Sequence, residues 1–231
     1  MKNSPTAAAQ SIATWYRDSA EENGMEDEHD YLWQRMIEKL GDLDLTQAAV
    51  LDFGCNQGGF LRRLYQSHPY RLAVGVDIAL ESLARAAENK SAAPIRYHHA
   101  SAPDPWQERY DCAFSHEVVY LLPDLAAHAR QIHQVLKPGG VYYYAIGCHT
   151  ENPLWPAWTK LIAETSNLPV QDYALDDYAR AFWSAGFEVS AQKYLIDDFI
   201  KLKPDNTYFP RVIDSLNYHV DHKILFRCRK T

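Results

Sequence analysis

Val50-Leu51-Asp52-Phe53-Gly54-Cys55-Asn56-Gln57-Gly58-Gly59-Phe60-Leu61 is the stretch on which the reading of this chain turns. An apolar run leads into it and an amphipathic run, Phe60, Leu61 and Leu64, leaves it, so it reads as strand, tight turn and helix start. Glycines suit such a turn because they accept positive φ and hold no Cβ between a ligand and the backbone, while the helix behind them offers free N–H groups. The turn is therefore built to receive a small polar ligand on main chain.

Three nucleotide-binding patterns compete for the loop. A Walker-type phosphate loop needs Lys and Ser or Thr after its last glycine, where Phe60 and Leu61 stand here, so that pattern fails. A dinucleotide fingerprint needs glycine where Asn56 stands, at the point of closest backbone approach to a pyrophosphate, and is weakened. The third pattern is acidic-x-Gly-x-x-x-Gly, followed about 20 to 25 residues later by an acidic residue closing a second apolar strand, the ribose-binding position. Ala73-Val74-Gly75-Val76-Asp77 supplies it.

With Asp52-Phe53-Gly54-Cys55 and Asp77 in place, the chain resembles the class I S-adenosylmethionine-dependent methyltransferases. Phe114 to Asp124 is similar to that family's segment after the fourth strand, and Leu136-Lys137-Pro138-Gly139-Gly140 to its turn before the fifth. Val141 to Ile146 follows as the fifth strand, and Ala185-Gly186-Phe187 resembles the approach to the sixth. The resemblance runs in consistent order over roughly residues 45 to 195. It implies an α/β, Rossmann-like, doubly wound seven-stranded sheet, mostly parallel, with an antiparallel C-terminal strand between the fifth and sixth. It also implies S-adenosylmethionine as cofactor, with S-adenosylhomocysteine as product. Asp52 and Gly54 are then expected to line its methionine part, Asp77 to accept from the ribose hydroxyls, Ile78 to pack on adenine and Ser101 to lie near the adenine edge. Cys55, Asn56, Gly58, Ala100, Ser115, His116 and Tyr120 complete the expected cofactor surroundings, with Tyr16 folding over the cleft from the N-terminal side. Two positions depart from the family pattern. Asn56 replaces a common glycine but tolerates left-handed backbone, and Ser101 replaces a common adenine-binding Asp with a neutral hydroxyl.

The 231 residues, 47% of them apolar, suit a single domain burying roughly 70 to 75% of its unfolded surface. A net charge of -7 argues against a broad nucleic-acid-binding face, and a small-molecule acceptor is expected instead. Cys55, Cys112, Cys148 and Cys228 are widely spaced without a C-x-x-C and read as small buried hydrophobes in a reducing compartment. The first 15 residues carry Lys2 but no apolar run of signal-peptide character, and no later run approaches the ~20 residues of a membrane span. A soluble, cytoplasmic protein without membrane partners is the expectation.

Along the chain, strands are expected near 49–53, 72–77, 95–99, 110–115 and 139–146, with helices near 57–67, 80–89 and 124–136, the last ended by Pro138-Gly139-Gly140. Leu32, Met36, Ile37 and Leu40 form one helical stripe from Tyr31, stopped by Gly41, as part of an N-terminal cap over residues 1–45. The acidic run Glu21 to Glu28 before it reads as a solvated loop. Lys223 to Cys228 reads as the last strand. The segments 148–172, with Trp155 and Trp158, and 196–222, with Phe199, Tyr208, Phe209, Tyr218 and His219, read as insertions walling the substrate. Pro210 ahead of Val212, Ile213 and Leu216 marks a short helix in the second.

In-line methyl transfer needs the acceptor held near 3 Å from the methyl carbon, and a general base only where the acceptor carries a proton to lose. His116 and His149, just past the fourth and fifth strands, are the candidate catalytic groups. The pairs His98-His99 and His219 with His222 complete no metal-ligand spacing and read as solvent or packing histidines. An aminopropyl transferase is an alternative, but Ser115-His116-Glu117 offers only one carboxylate for a polyamine. A non-catalytic scaffold with a degenerate cleft is the other, resting on Asn56 and Ser101.

Overall fold

The computed structural model describes residues 11–90 and 92–231, so Lys2 and the first ten residues of the expected cap lie outside it. Seven strands form one sheet in the order β3-β2-β1-β4-β5-β7-β6. They are β1 (Ala49–Phe53), β2 (Leu72–Asp77), β3 (Ile95–His99), β4 (Tyr110–His116), β5 (Leu136–Ile146), β6 (Phe187–Lys193) and β7 (Ile224–Lys230). The first five pair in parallel, and β7 lies antiparallel between β5 and β6. This is the order the resemblance implies, with the chain reversing direction across the sheet between β1 and β4, where ligands of open α/β sheets bind.

Alternate residues of each strand feed two cores. Ala49, Leu51, Val74, Val76, Tyr142 and Tyr144 face one side, against α5 (Leu125–Val135), α6 (Trp155–Thr165) and α7 (Leu175–Ser184). Val50, Ala73, Cys112, Phe114 and Ala145 face the other, against α1 (Ser19–Glu38) and α2 (Gly59–Ser67). Helix α3 (Leu80–Asn89) follows β2, and a short α4 (Asp104–Gln107) precedes β4. All four cysteines are buried free thiols.

Two expectations need correction. Helix α1 begins twelve residues before Tyr31, so the acidic run is helical and only partly solvated. Asp18 caps it by accepting from the amides of Ala20 and Glu21 at 2.8 and 3.0 Å. Its inward acids meet polar partners instead of apolar ones, as where Glu26 accepts from Arg62 Nη2 at 2.6 Å, so hydrophobic periodicity carries no trace of it. Helix α5, capped by Asp124, ends at Val135, and Leu136 already belongs to β5. Tyr110 faces Leu136 whereas Cys112 faces Val141, so Pro138-Gly139-Gly140 lies in a bulge of β5, with Gly139 at φ +76.

The segments 148–172 and 196–222 pack on each other, with Trp158 donating to the Tyr208 carbonyl at 2.8 Å and its ring meeting Phe209 and Tyr218 edge-on. The second holds the expected short helix, α8 (Val212–Asn217), which runs into a π-helical turn at Tyr218–His222. Phe199 is fully exposed.

Candidate functional site

At the tip of β1 the backbone turns on left-handed residues, Gly54 at φ +78, Asn56 at +44 and Gly58 at +80. A Cβ at Gly54 would run into Val118, and one at Gly58 into the Tyr97 ring, so both positions require glycine on two counts. Asn56 keeps its left-handed shape with its own side chain: Oδ1 accepts from the Gln57 amide at 2.7 Å and Nδ2 donates to Glu22 at 2.8 Å. The Asn56 amide donates to Asp77 Oδ2 at 2.8 Å, and the Ala79 amide to Asp77 Oδ1 at 2.9 Å. Each carboxylate oxygen keeps a further lone pair for a ligand hydroxyl.

Asp52 is buried at the end of β1. Burial, with the Asp77 charge added, pushes its carboxyl up to about 8. Asp77 is also raised by burial, held back by the amides of Ala79, Asn56 and Ile78 and raised further by Glu22. Among the described residues none of Glu22, Asp52 and Asp77 is in an ion pair. Tyr97 Oη, His99 Nε2 and His116 Nε2 are buried with no hydrogen-bond partner. A glycine cradle, uncompensated carboxylates and unmatched polar atoms suit a small nucleoside carrying positive charge.

The other expected cofactor residues differ in what they already hold. Ser115 Oγ donates to the Phe53 carbonyl at 2.8 Å and ties β4 to β1. Ser101 is exposed and bonds His99 Nδ1 at 2.7 Å. The Ala100 amide donates to the Asp77 carbonyl at 2.8 Å, and the buried Cys55 donates its amide to Val76 at 3.1 Å. Ile78 accepts at its carbonyl from the Ile12 amide at 3.1 Å. That bond begins a strap, residues 12–17, which continues through Leu80 N to Ile12 O at 2.9 Å and ends with Arg17 N to Thr165 O at 2.8 Å, at the end of α6. Trp15 in the strap meets Tyr120 edge-on at 6.4 Å, and Tyr120 meets Trp155 likewise at 5.9 Å. Tyr16 thus sits in the strap, and burial keeps its phenol and that of Tyr120 protonated.

Past β4 the chain carries a second buried group of charges. Glu117 adopts φ +54, a strained conformation for a non-glycine residue. It accepts from Gly147 N at 3.1 Å, Tyr218 Oη at 3.1 Å and the fully buried Lys223 ammonium. Burial works to raise the Glu117 carboxyl, but Lys223 beside it holds it below the usual value. His116 meets His29 edge-on at 5.5 Å, and burial, then Lys223 and His29, hold its pKa well below 6.5. Its ring is therefore neutral, with Nε2 unpartnered. His149 is placed differently: Nε2 donates to the His222 carbonyl at 2.7 Å and Nδ1 lies 3.2 Å from Glu151. Both nitrogens are engaged, so the ring braces the π-helical turn and has none free for a proton from a ligand. In that turn, His219 donates from Nδ1 to the Ser215 carbonyl at 2.6 Å and accepts at Nε2 from Tyr31 at 2.7 Å.

A family model described as a methyltransferase domain matches residues 25–192. The chain belongs to that family. This methyltransferase also shares its fold with solved structures. One is the protein bound to the Trm112 methyltransferase activator of Haloferax volcanii, at TM-score 0.74 and 21% identity over 91% of this chain and 94% of that one. Another is an S-adenosylmethionine-dependent methyltransferase from Mesorhizobium loti, at TM-score 0.61 and 18% identity over 90% and 100%. A third is phosphoethanolamine N-methyltransferase 2 of Haemonchus contortus, solved with S-adenosyl-L-methionine, at TM-score 0.63 and 17% identity over 93% and 58%. No protein of curated function matches the chain in sequence. No helix among the described residues is long and apolar enough to cross a membrane.

Sequence reasoning missed Glu22, His29 and Lys223. Glu22 belongs to the run read as a loop, His29 falls between that run and the helical stripe read from Tyr31, and Lys223 reads as an ordinary polar residue at the foot of a strand. Only the strand-tip position of Glu117 next to His116 carried a signal.

Proposed function

We propose that this methyltransferase binds S-adenosylmethionine across the tips of β1 and β2 and methylates a small-molecule acceptor beside His116. When bound, the cofactor would supply an electrophilic methyl group on a sulfonium, passed in line to the acceptor as the C–S bond breaks and S-adenosylhomocysteine leaves as the neutral thioether. The observation that carries the reading is the pair of carboxylates, the buried Asp52 and the half-buried Asp77, on neighbouring strand tips and in no ion pair among the described residues. Asp52, with Gly54 and the turn amides, takes the cationic amino-acid end. Asp77 uses its remaining lone pairs for the ribose hydroxyls, Ile78 packs on the adenine face and Ser101 meets its edge. Cys55, Asn56, Ala100 and Ser115 hold this frame in shape through the bonds given above, and Gly58 through its left-handed backbone.

His116 accepts the acceptor's proton at Nε2. Being neutral and already desolvated, it is ready to do so at neutral pH. The strap and the Trp15-Tyr120-Trp155 contacts close over the strand tips, which favours a small acceptor, and the segments 148–172 and 196–222 contribute its walls. Substitution Asp77→Ala tests the cofactor site: calorimetric affinity for S-adenosylmethionine is expected to fall about 100-fold, with the wild-type circular-dichroism spectrum retained. Near-wild-type affinity would remove Asp77 from the site.

A further inference from the structure

Glu22, on α1, is 0% exposed, and all three donors to its carboxylate belong to the surroundings of the glycine turn. Oε1 accepts from Asn56 Nδ2 at 2.8 Å and from Ser82 Oγ of α3 at 2.7 Å, while Oε2 accepts from the strap amide of Tyr16 at 2.9 Å. The Glu22 carbonyl accepts from Gln57 Nε2 at 3.1 Å. One buried side chain thus joins the strap, the turn and α3. A buried carboxyl group in that position depends on its donors, because each one lost leaves a buried acceptor unmatched.

We propose that Glu22 is the latch of a cofactor gate: its carboxylate locks the strap to the glycine turn, and cofactor exchanges when this lock opens. The proposal rests on the cofactor reading above and adds a positioning residue to it. Its route is continuous. The strap bonds Glu22, Glu22 bonds the Asn56 side chain, and the Asn56 amide bonds Asp77, the ribose-binding carboxylate. The strap also has main-chain bonds at both ends, to Ile78 and Leu80 after β2 and to Thr165 and Asn167 at and just past the end of α6, so it crosses the strand tips from one side of the sheet to the other. Glu22 and Tyr16 make the tie at its centre. The same arrangement accounts for asparagine at a position that favours glycine: Asn56 alone among left-handed-tolerant choices at 56 brings an amide donor to the latch while keeping φ +44.

A purely structural role for Glu22 would make it equivalent to Glu26, one turn further along α1, which binds α2 through Arg62 at 2.6 Å. That pair ties the same helix to the domain but touches neither the strap nor Asn56, which makes Glu26 the internal control.

The test combines stopped-flow dissociation of S-adenosylmethionine with hydrogen exchange of residues 12–17, in the wild type and in Glu22→Gln, Asn56→Gly and Glu26→Gln. A glutamine at 22 keeps one acceptor oxygen, so it holds either Asn56 and Ser82 or the Tyr16 amide, and its NH2 opposes whichever N–H it faces. Glycine at 56 adopts the left-handed φ freely without the Oδ1 bond to the Gln57 amide and removes the side-chain tie to Glu22, so it remains informative should the Glu22 variant fold poorly. The expected result is dissociation faster by about tenfold or more in Glu22→Gln and severalfold in Asn56→Gly, with faster strap exchange in both. Glu26→Gln should leave both readouts within twofold of wild type. Wild-type binding with unchanged dissociation and exchange in the first two variants overturns the gate alone. An equal response in Glu26→Gln also overturns it, by reducing Glu22 to one more tether of α1. Failure of the wild type to bind S-adenosylmethionine overturns the cofactor reading, and the gate with it.

Discussion

Two buried acidic groups lie at the carboxyl ends of the strands, and they are balanced in opposite ways. At the tips of β1 and β2, Asp77 accepts from backbone amides and Asp52 is in no ion pair among the described residues, while Glu22, reaching them from α1, accepts only from neutral groups. Past β4, Glu117 has a fully buried ammonium, Lys223, directly on it. The first group has no internal cation among the described residues, and burial raises the Asp52 carboxyl to about 8. The second is complete in itself and serves as a rigid, neutral base under His116. The difference teaches that burial alone does not fix a carboxylate's ionisation: Glu117, beside a buried ammonium, is held below its usual value, whereas Asp52, without one, is raised.

The largest effect should come from unbalancing the complete group. Lys223→Met leaves Glu117 buried without its cation and is expected to cost roughly 3–5 kcal/mol, a loss of about 10 °C or more in melting temperature. The double variant Glu117→Gln with Lys223→Met should recover a large part of it. Equal melting points for wild type and single variant would show that the pair contributes nothing.

Next in size is the chemistry. His116→Asn should lower kcat by about 100-fold and leave the dissociation constant of S-adenosylmethionine within a few-fold, as befits a group that acts on the acceptor. Because burial and Lys223 hold the His116 pKa well below 6.5, wild-type kcat should not fall on acidification through pH 6.5. A drop centred there would mean an ordinary, solvated imidazole.

Smallest, and aimed at the unbalanced group, is a proton-linkage effect. Asp52 at about 8 stands above its ordinary 3.8, so its contribution to apo-protein stability is full below pH 3.8 and is lost as pH rises through 8. A positively charged ligand favours the ionised form, so binding S-adenosylmethionine at pH 7 should release a fraction of a proton. Calorimetry in buffers of different ionisation enthalpy measures it. Proton uptake, or none, would mean that no cation approaches Asp52.

The strands and most helices were readable because each repeats an apolar residue at a fixed spacing. Leu51, Val74, Ala113 and Tyr142 alternate with polar or opposite-facing neighbours, and Leu125, Ala129 and Ile132 recur along α5. The glycine turn was readable for a different reason, since Gly54 and Gly58 answer a local backbone requirement. Helix α1 was misread over its first half because its buried side there is polar, Glu22 and Glu26, and a pattern of apolar residues does not register it. His116 was readable as a residue past a strand tip, whereas its distinction from His149 was not: that lies in whether distant carbonyls and carboxylates occupy both ring nitrogens.

By itself, then, the amino-acid order determined the strand–helix alternation of the central frame, the turn between Asp52 and Gly58, and the acidic residue at 77. Each follows from rules acting within a few residues: alternation, helical period and the sterics of positive φ. The tertiary structure alone decided that Glu22 closes onto Asn56, that Lys223 neutralises Glu117 across 106 positions, and that His29 stands edge-on to His116. Those pairings depend on which charges are removed from water together. Desolvation and Coulomb attraction act through space between residues far apart in the chain, and no local spacing encodes them.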